Sequence, residues 1–259
     1  KNDLVRRAVL TGKTISLATV QPGIKTSAPI NILESSAVFQ AGGCGWNAQG
    51  TTVLDQRPIT VAKIKQNEAM CIDDLEAYYT QKMLNAGSKH ESIPFEQLYS
   101  EEKAAKTAKA LEQLAWRGDT LGSGNLSMVD GLIKIIDAEA SVVTGTAKAL
   151  DAAEIIDAVD ELVSSIPEDV IESTDLHLFV GFDTYRLYAA QLKAANMFHY
   201  TGEEGSSFEM MIPGVNVKMV AVGGLNGTDR AFLMEASNMI VGTDLLDESE
   251  DFDIFFAKE

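Results

Sequence analysis

The sequence has few of the residues on which redox and metal chemistry depend. Its 259 residues include two cysteines, Cys44 and Cys71, which form no CxxC pair, and three histidines, His90, His177 and His199. A structural zinc site or a redox motif is therefore not expected. A chain of this length also buries most of its unfolded surface without needing disulfides.

Long apolar runs are missing as well. No segment approaches the roughly 18 apolar residues of a membrane span, and residues 1–13 lack the apolar centre of a signal peptide. With 46% hydrophobic and 23% charged residues, the composition is that of an ordinary soluble globular protein. The chain starts at Lys1 rather than at a methionine, which predicts that a leader segment is absent from it.

The sequence matches several catalytic and ligand-binding motifs only in part. The TGKT of residues 11–14 ends like a phosphate loop, but Arg7 stands where that loop needs its first glycine. Residues 43–48 match GxGxxA without a following helix to meet a pyrophosphate, and the acidic residues 244–253 lack the ligand order of an EF-hand. We predict no catalytic, cofactor-binding or metal-ligating residue, and hence no enzyme.

Charge is divided unevenly along the chain, whose net charge is −17. Residues 1–136 carry +1, and residues 137–259 carry −18. Tight nucleic-acid binding through the second half is disfavoured, because Lys and Arg contacts with phosphates supply most such affinity. Two interpretations remain open: an ordinary solvated face, or a surface that lies near nucleic acid without adhering to it.

The clearest predicted element is a long helix over residues 93–117. Pro94 suits its first turn, Gly118 ends it, and a narrow apolar stripe follows one side of it. Trp116, at its end, is predicted to be in the core. Such a helix packs one side on its own domain and turns the other to water or a neighbour.

An α+β body is predicted after Asp119. A helix over 151–168 precedes a buried strand at 177–182, a helix that Asp183 begins, and then further strands. The first third is instead predicted to contain short strands, at 15–20, 36–40 and 59–65.

A glycine-rich loop at residues 41–50 lies between two of those strands and contains Trp46. An exposed indole on such a loop is a residue type that anchors interfaces. The alternative is a loop that folds back and buries Trp46 internally. Trp46 is the one candidate site residue of the sequence, as an intersubunit contact.

Four blocks of sequence stand out when taken in order: residues 44–84, 93–120, 125–136 and 212–256. The WRGDT and VDGLIKII segments are their most specific parts. Together the blocks resemble the major capsid proteins of tailed bacteriophages, in particular those of crAss-like phages.

This resemblance implies the Hong Kong ninety-seven type of shell fold, which has an N-terminal arm, an extended loop, a peripheral domain with a spine helix, and an axial domain. Trp46 would lie near the loop tip, and a strand at residues 253–256 would return to the peripheral sheet. A start at Lys1 is compatible with the loss of a scaffolding segment, which is common in relatives. The implied divisions are 1–118 for the arm, the extended loop (about 30–60) and the peripheral domain with the spine helix (about 93–117), 119–240 for the axial domain, and 241–259 for the C-terminal return.

The function implied is that of a virion subunit, assembled in the host bacterial cytoplasm into an icosahedral shell around double-stranded DNA. Its partners would be copies of itself in hexamers and pentamers, together with scaffold, portal and head-decoration proteins. Packaged DNA would make only weak nonspecific contacts, and neither a cofactor nor a membrane is implied. Two alternatives stay open: an encapsulin-like nanocompartment shell, and an α+β enzyme whose site is not apparent in the sequence.

Overall fold

The computed structural model describes residues 12–69, 95–146, 148, 150–195 and 208–244. The first part of the predicted N-terminal arm lies outside these residues. So does most of the predicted C-terminal return, including the strand expected at residues 253–256.

The described chain is mixed α and β, as the sequence predicts. Its helices are α1 (Lys13–Leu17), α2 (Phe95–Arg117), α3 (Leu132–Ala138), α4 (Ile155–Ser164), α5 (Glu168–Ile171) and α6 (Phe182–Ala194). Its strands are β1 (Thr19–Gln21), β2 (Ser27–Ser35), β3 (Thr52–Thr60), β4 (Leu176–Val180), β5 (Glu209–Met211), β6 (Lys218–Ala221), β7 (Phe232–Glu235) and β8 (Ile240–Gly242).

A four-stranded sheet in the order β5-β6-β4-β7 lies at the centre of the body. Strand β4 is parallel to β6 and antiparallel to β7, and all five of its residues are buried, which confirms the predicted buried strand. Because side chains alternate along a strand, Leu178 joins a core with α4 and α6 on one face, while Phe179 joins a second core with Trp116 on the other. The end of α2 therefore packs on this sheet.

Helix α2 is the long helix predicted from the sequence. Its last turns bury Leu114 and Trp116, which confirms the core position predicted for Trp116. It ends where Gly118 passes close to Gly131: the Gly131 amide donates to the Gly118 carbonyl at 2.8 Å. A Cβ on Gly131 would lie 2.6 Å from the Trp116 carbonyl oxygen, so this crossing accepts only glycine.

The start of α6 differs from the prediction. Asp183 lies inside the first turn, and Gly181 is the N-cap residue. The side-chain oxygen of Asn226 accepts from the Phe182 amide at 2.7 Å, and so satisfies a donor that a capping Asp would otherwise serve. The cap comes from a distant loop, which local sequence does not reveal.

Strands β2 and β3 form a long antiparallel hairpin, in register from Ser27 opposite Thr60 to Ser35 opposite Thr52. The strand predicted at residues 36–40 is wrong, since these residues lie in the loop of the hairpin. Pro29 and Pro58 face each other inside the ribbon. Among the described residues neither strand has a second neighbour, so both are edges, and proline is tolerated where the backbone nitrogen points outward.

The first strand of the described chain pairs with the last one. Strand β1 pairs in parallel with β8, Thr19 opposite Ile240. The strand predicted at residues 15–20 is wrong in its first half, which belongs to α1. This single helical turn is held by the long helix, because the Thr14 amide donates to the Glu112 carboxylate at 3.2 Å. A tertiary contact thus overrides the β-type local sequence.

Candidate functional site

The tip of the β2–β3 hairpin presents aromatic side chains to solvent. Trp46 is 94% exposed and Phe39 is 98% exposed. A Cβ built on Gly42 or Gly43 would meet no atom within 4 Å, so this part of the loop stands clear of the other described residues. Of the two arrangements left open by the sequence, the structure therefore has the exposed one. The contact of Trp46 with another subunit stays a prediction.

The loop that carries Trp46 is closed by hydrogen bonds at its base and across its middle. The Ser36 amide donates to the Thr51 carbonyl at 2.9 Å, and the Thr51 amide donates to Ser36 Oγ at 2.9 Å. Further out, Gln40 Nε2 donates to the Asn47 carbonyl at 2.6 Å. The indole is thus presented from a loop with a defined conformation.

Apolar exposure continues along the ribbon behind the tip. Leu33 and Leu54 are directly opposite each other and are 69% and 78% exposed. The next pair on the same face is polar, with Gln56 Nε2 donating to Asn31 Oδ1 at 2.8 Å. An isolated two-stranded ribbon is marginally stable in water, and contiguous exposed apolar side chains mark an interaction surface. We call Trp46, Phe39, Leu33 and Leu54 the hairpin surface.

The base of the hairpin is anchored to the body. Arg57 forms an ion pair with Glu139 at 2.8 Å, a partly exposed contact that contributes about 0–1 kcal/mol. Ile24 and Ile59 lie against β8, where a Cβ on Gly242 would be 3.1 Å from the Cδ1 atom of each. Base packing fixes the direction of the ribbon, while the hairpin surface remains in solvent.

The acidic second half forms a charged outer surface on α4, α5 and their flanking turns. On α4, Glu161 is 3.0 Å from Lys148, and Asp137, in the last turn of α3, is 2.6 Å from Arg230. Hydrogen bonds from Thr146 first and from Lys148 second lower the pKa of Glu161, so its carboxyl group stays ionised at neutral pH. The exposed acidic residues of this surface are Asp151, Glu154, Asp157, Asp160, Glu168, Asp169 and Glu172.

His177 has the contacts of a structural histidine. It is buried on β4, its Nδ1 lies 2.8 Å from the Asp175 carbonyl oxygen, and its ring stacks on Phe179. His90 and His199 lie outside the described residues. Within the described ranges, no three His, Cys, Asp or Glu side chains converge where they could hold a metal ion. The helices of those ranges are also too short or too polar to cross a bilayer.

Glu112 is the residue of chemical interest that the sequence analysis missed. It is buried on α2, and its carboxylate accepts hydrogen bonds from the amide and the hydroxyl of Thr14. Burial raises the pKa of Glu112, and the two Thr14 hydrogen bonds partly oppose that rise. Its spacing of four residues before the buried Trp116 was the available signal, because residues i and i+4 share one face of a helix.

Comparison of the chain with protein-family models and with curated proteins gives no match. The chain offers two grounds for inferring its function: the geometry described above and the sequence blocks that resemble capsid proteins. The geometry consists of an anchored ribbon with an apolar, aromatic end, a long helix packed on a sheet by its last turns, and an acidic outer surface.

Proposed function

We propose that this chain is the structural subunit of the icosahedral head shell of a tailed bacteriophage, which encloses packaged double-stranded DNA. The observation that carries the proposal is the hairpin surface, where Trp46 and Phe39 are almost fully exposed at the end of an anchored ribbon. A monomer gains nothing from large apolar side chains in water, whereas a partner surface buries them. The four sequence blocks that resemble capsid proteins supply the class of partner, which is further copies of this chain.

Shell contacts of this kind are individually weak and collectively strong. A subunit that reaches one neighbour with its ribbon and is reached by another makes heterologous contacts, which close into rings when the rotation fits. Each closed contact raises the effective concentration for the next one. A contact made by one exposed tryptophan per subunit would therefore be repeated around the particle, so that many weak contacts add up.

The proposal assigns the main described elements to parts of the shell subunit. The hairpin β2–β3 is the extended loop, α2 is the spine helix, and the four-stranded sheet with α4 and α6 belongs to the axial domain. Scaffold, portal and decoration proteins would be its further partners. Resemblance supports these assignments, together with the order of the elements along the chain.

Electron microscopy of the expressed chain tests the proposal, with a scaffold supplied in a parallel sample. We expect hollow particles of megadalton mass, built of pentamers and hexamers. Particles that contain a packaged enzyme and never accept a portal would indicate a nanocompartment shell instead. A chain that remains monomeric in both samples, across concentrations up to the millimolar range, would contradict the assignment as a shell subunit.

We also predict that emptied shells bind duplex DNA poorly even at low salt. The proposal turns the acidic surface of α4 and α5 inward, where ionised carboxylates repel phosphates. Filter binding at about 50 mM salt should give a dissociation constant no tighter than about 10⁻⁴–10⁻⁶ M, the range that DNA-binding proteins show for nonspecific sites at the higher, physiological salt concentration. A triple variant, Asp157→Lys, Asp160→Lys and Glu168→Lys, should bind more tightly and with a steeper salt dependence. Tight binding by the parent shell would exclude the inward orientation.

A further inference from the structure

The contact between α1 and α2 is built around a buried carboxylate. Glu112 Oε2 accepts from the Thr14 amide at 3.2 Å, and Glu112 Oε1 accepts from the Thr14 hydroxyl. A Cβ on Gly12 would lie 2.8 Å from Glu112 Oε2, so the backbone of the N-terminal segment closes directly over the carboxylate. The segment 12–17 thus excludes water from one side of Glu112.

The direction of the Thr14 hydroxyl hydrogen follows from its other partner. Trp116 Nε1 lies 2.6 Å from Thr14 Oγ1, and an indole N–H can only donate. Thr14 Oγ1 therefore accepts from Trp116 and donates its own hydrogen to Glu112. The buried chain of donors ends on Glu112, which is its only titratable member.

Charged groups on the neighbouring elements are engaged with one another. Lys13 of α1 lies 2.6 Å from Glu209 on β5, and Lys218 of β6 contacts the same carboxylate. On α2 itself, Lys109 is exposed. The effects that shift the pKa of Glu112 are burial first and the Thr14 hydrogen bonds second. Desolvation therefore dominates at this contact.

We propose that Glu112 is a proton-sensitive latch, which docks the segment 12–17 onto α2 more tightly when its carboxyl group is neutral than when it is ionised. The latch goes beyond the proposed function, since it describes an equilibrium within one chain that exists whether or not copies assemble.

The sign of the pH dependence follows from linkage. When the segment leaves, water reaches Glu112, and its pKa falls toward the ordinary value of 4.5. In the docked state burial raises this pKa, so a proton binds the docked state more tightly than the undocked one. Docking is strongest below pH 4.5 and weakens as pH rises toward the raised pKa, tenfold for each unit of difference between the two states. Above the raised pKa it changes no further.

Amide hydrogen exchange of the full chain tests the latch. The probes are the Ser16 and Ala18 amides, which donate to the Gly12 and Thr14 carbonyls at 2.9 and 3.0 Å. The parent and Glu112→Gln are compared at the same pH, so that intrinsic exchange rates cancel. At pH 7.5 the parent should exchange at least about threefold faster than Glu112→Gln, whereas at pH 3.5, about one unit below the undocked pKa of 4.5, the two rates should agree.

Glu102→Gln is the matched control, because Glu102 lies on the same helix but is exposed and paired with Lys106. It should leave exchange at Ser16 and Ala18 unchanged at both pH values. A parent-to-variant ratio for Glu112→Gln that is the same at both pH values, or a variant that exchanges faster at pH 7.5, would overturn the latch.

A second measurement covers the case in which Glu112→Gln does not fold. Trp116 becomes the only indole in a Trp46→Phe chain, and its bond to Thr14 makes its emission sensitive to docking. Titration from pH 8 to pH 4.5 should give a sigmoidal change with a midpoint above pH 4.5. Emission that stays constant over this interval would reject the latch independently of the Glu112 variant.

Discussion

Gly224→Ala is expected to lower the free energy of unfolding by about 3 kcal/mol, the upper end of the usual range for overpacking. A Cβ at this position would lie 2.6 Å from the Glu112 carbonyl oxygen and 2.8 Å from Trp116 Cβ, and it would also contact Trp116 Cδ1. The indole cannot retreat, because its ring centroid is 5.5 Å from that of Phe179 and 5.6 Å from that of Phe232. Urea denaturation followed by circular dichroism measures the loss as a lower midpoint.

Gly42→Ala is the matched control for this substitution. A Cβ on Gly42 would meet no atom within 4 Å, and its φ is outside the left-handed region. We expect its unfolding free energy to lie within about 0.5 kcal/mol of the parent value. If Gly224→Ala were equally neutral, the tight packing of the Gly223–Leu225 turn on α2 would be wrong.

Trp46→Ala should strongly impair the assembly that we propose for this chain. The side chain is 94% exposed in the single chain, so its removal takes away no internal packing, and monomer circular dichroism should not change. A docked tryptophan at an interface contributes on the order of 2 kcal/mol or more. For one contact per subunit, this corresponds to about a 30-fold rise in the concentration at which shells form. Light scattering and electron microscopy across a concentration series measure that threshold.

Two variants separate the role of the indole from a general loss of apolar surface. Trp46→Phe keeps an aromatic ring and should recover part of the assembly. Leu121→Ala removes an apolar side chain that is 87% exposed but lies outside the hairpin surface, and it should shift the threshold much less. An unchanged threshold in Trp46→Ala would mean that the tryptophan is not an anchor, even if shells form.

Prediction from the sequence succeeded for elements whose local residue pattern alone indicates their secondary structure and their exposure to solvent. The continuous apolar run around Leu178 is typical of a strand buried on both faces, and its composition was enough to predict its burial. In the structure this strand has sheet neighbours on both sides. The long helix at Phe95–Arg117 has strong helix formers throughout, and Trp116 at its end is buried. Glycine density in residues 41–50 indicated a loop, and the structure has the Trp46 side chain in solvent.

Contacts between residues distant in sequence explain what the sequence analysis got wrong or missed. Segment 13–17 is β-like in composition, but Glu112, 98 residues away, accepts from its first turn and makes it helical. Asp183 looked like the start of a helix, whereas Asn226 supplies the side-chain acceptor there. The hydrophobic residues at 36–40 suggested a strand, although the hairpin register ends its ladder at Ser35. Patterns within a short stretch of sequence cannot reveal partners that lie so far away along the chain.

The facing prolines of the hairpin limit how its two edges can pair with another chain. A free β edge tends to recruit another chain by backbone pairing, which for a protein made in many copies leads to amyloid-like stacking. Pro29 and Pro58 remove one outward N–H donor from each of the two edges, so neither edge offers a continuous ladder to a newcomer. We therefore expect recognition through this ribbon to use its side chains, which makes a contact reversible; in the proposed shell, a misplaced subunit could then be released and replaced while the particle grows.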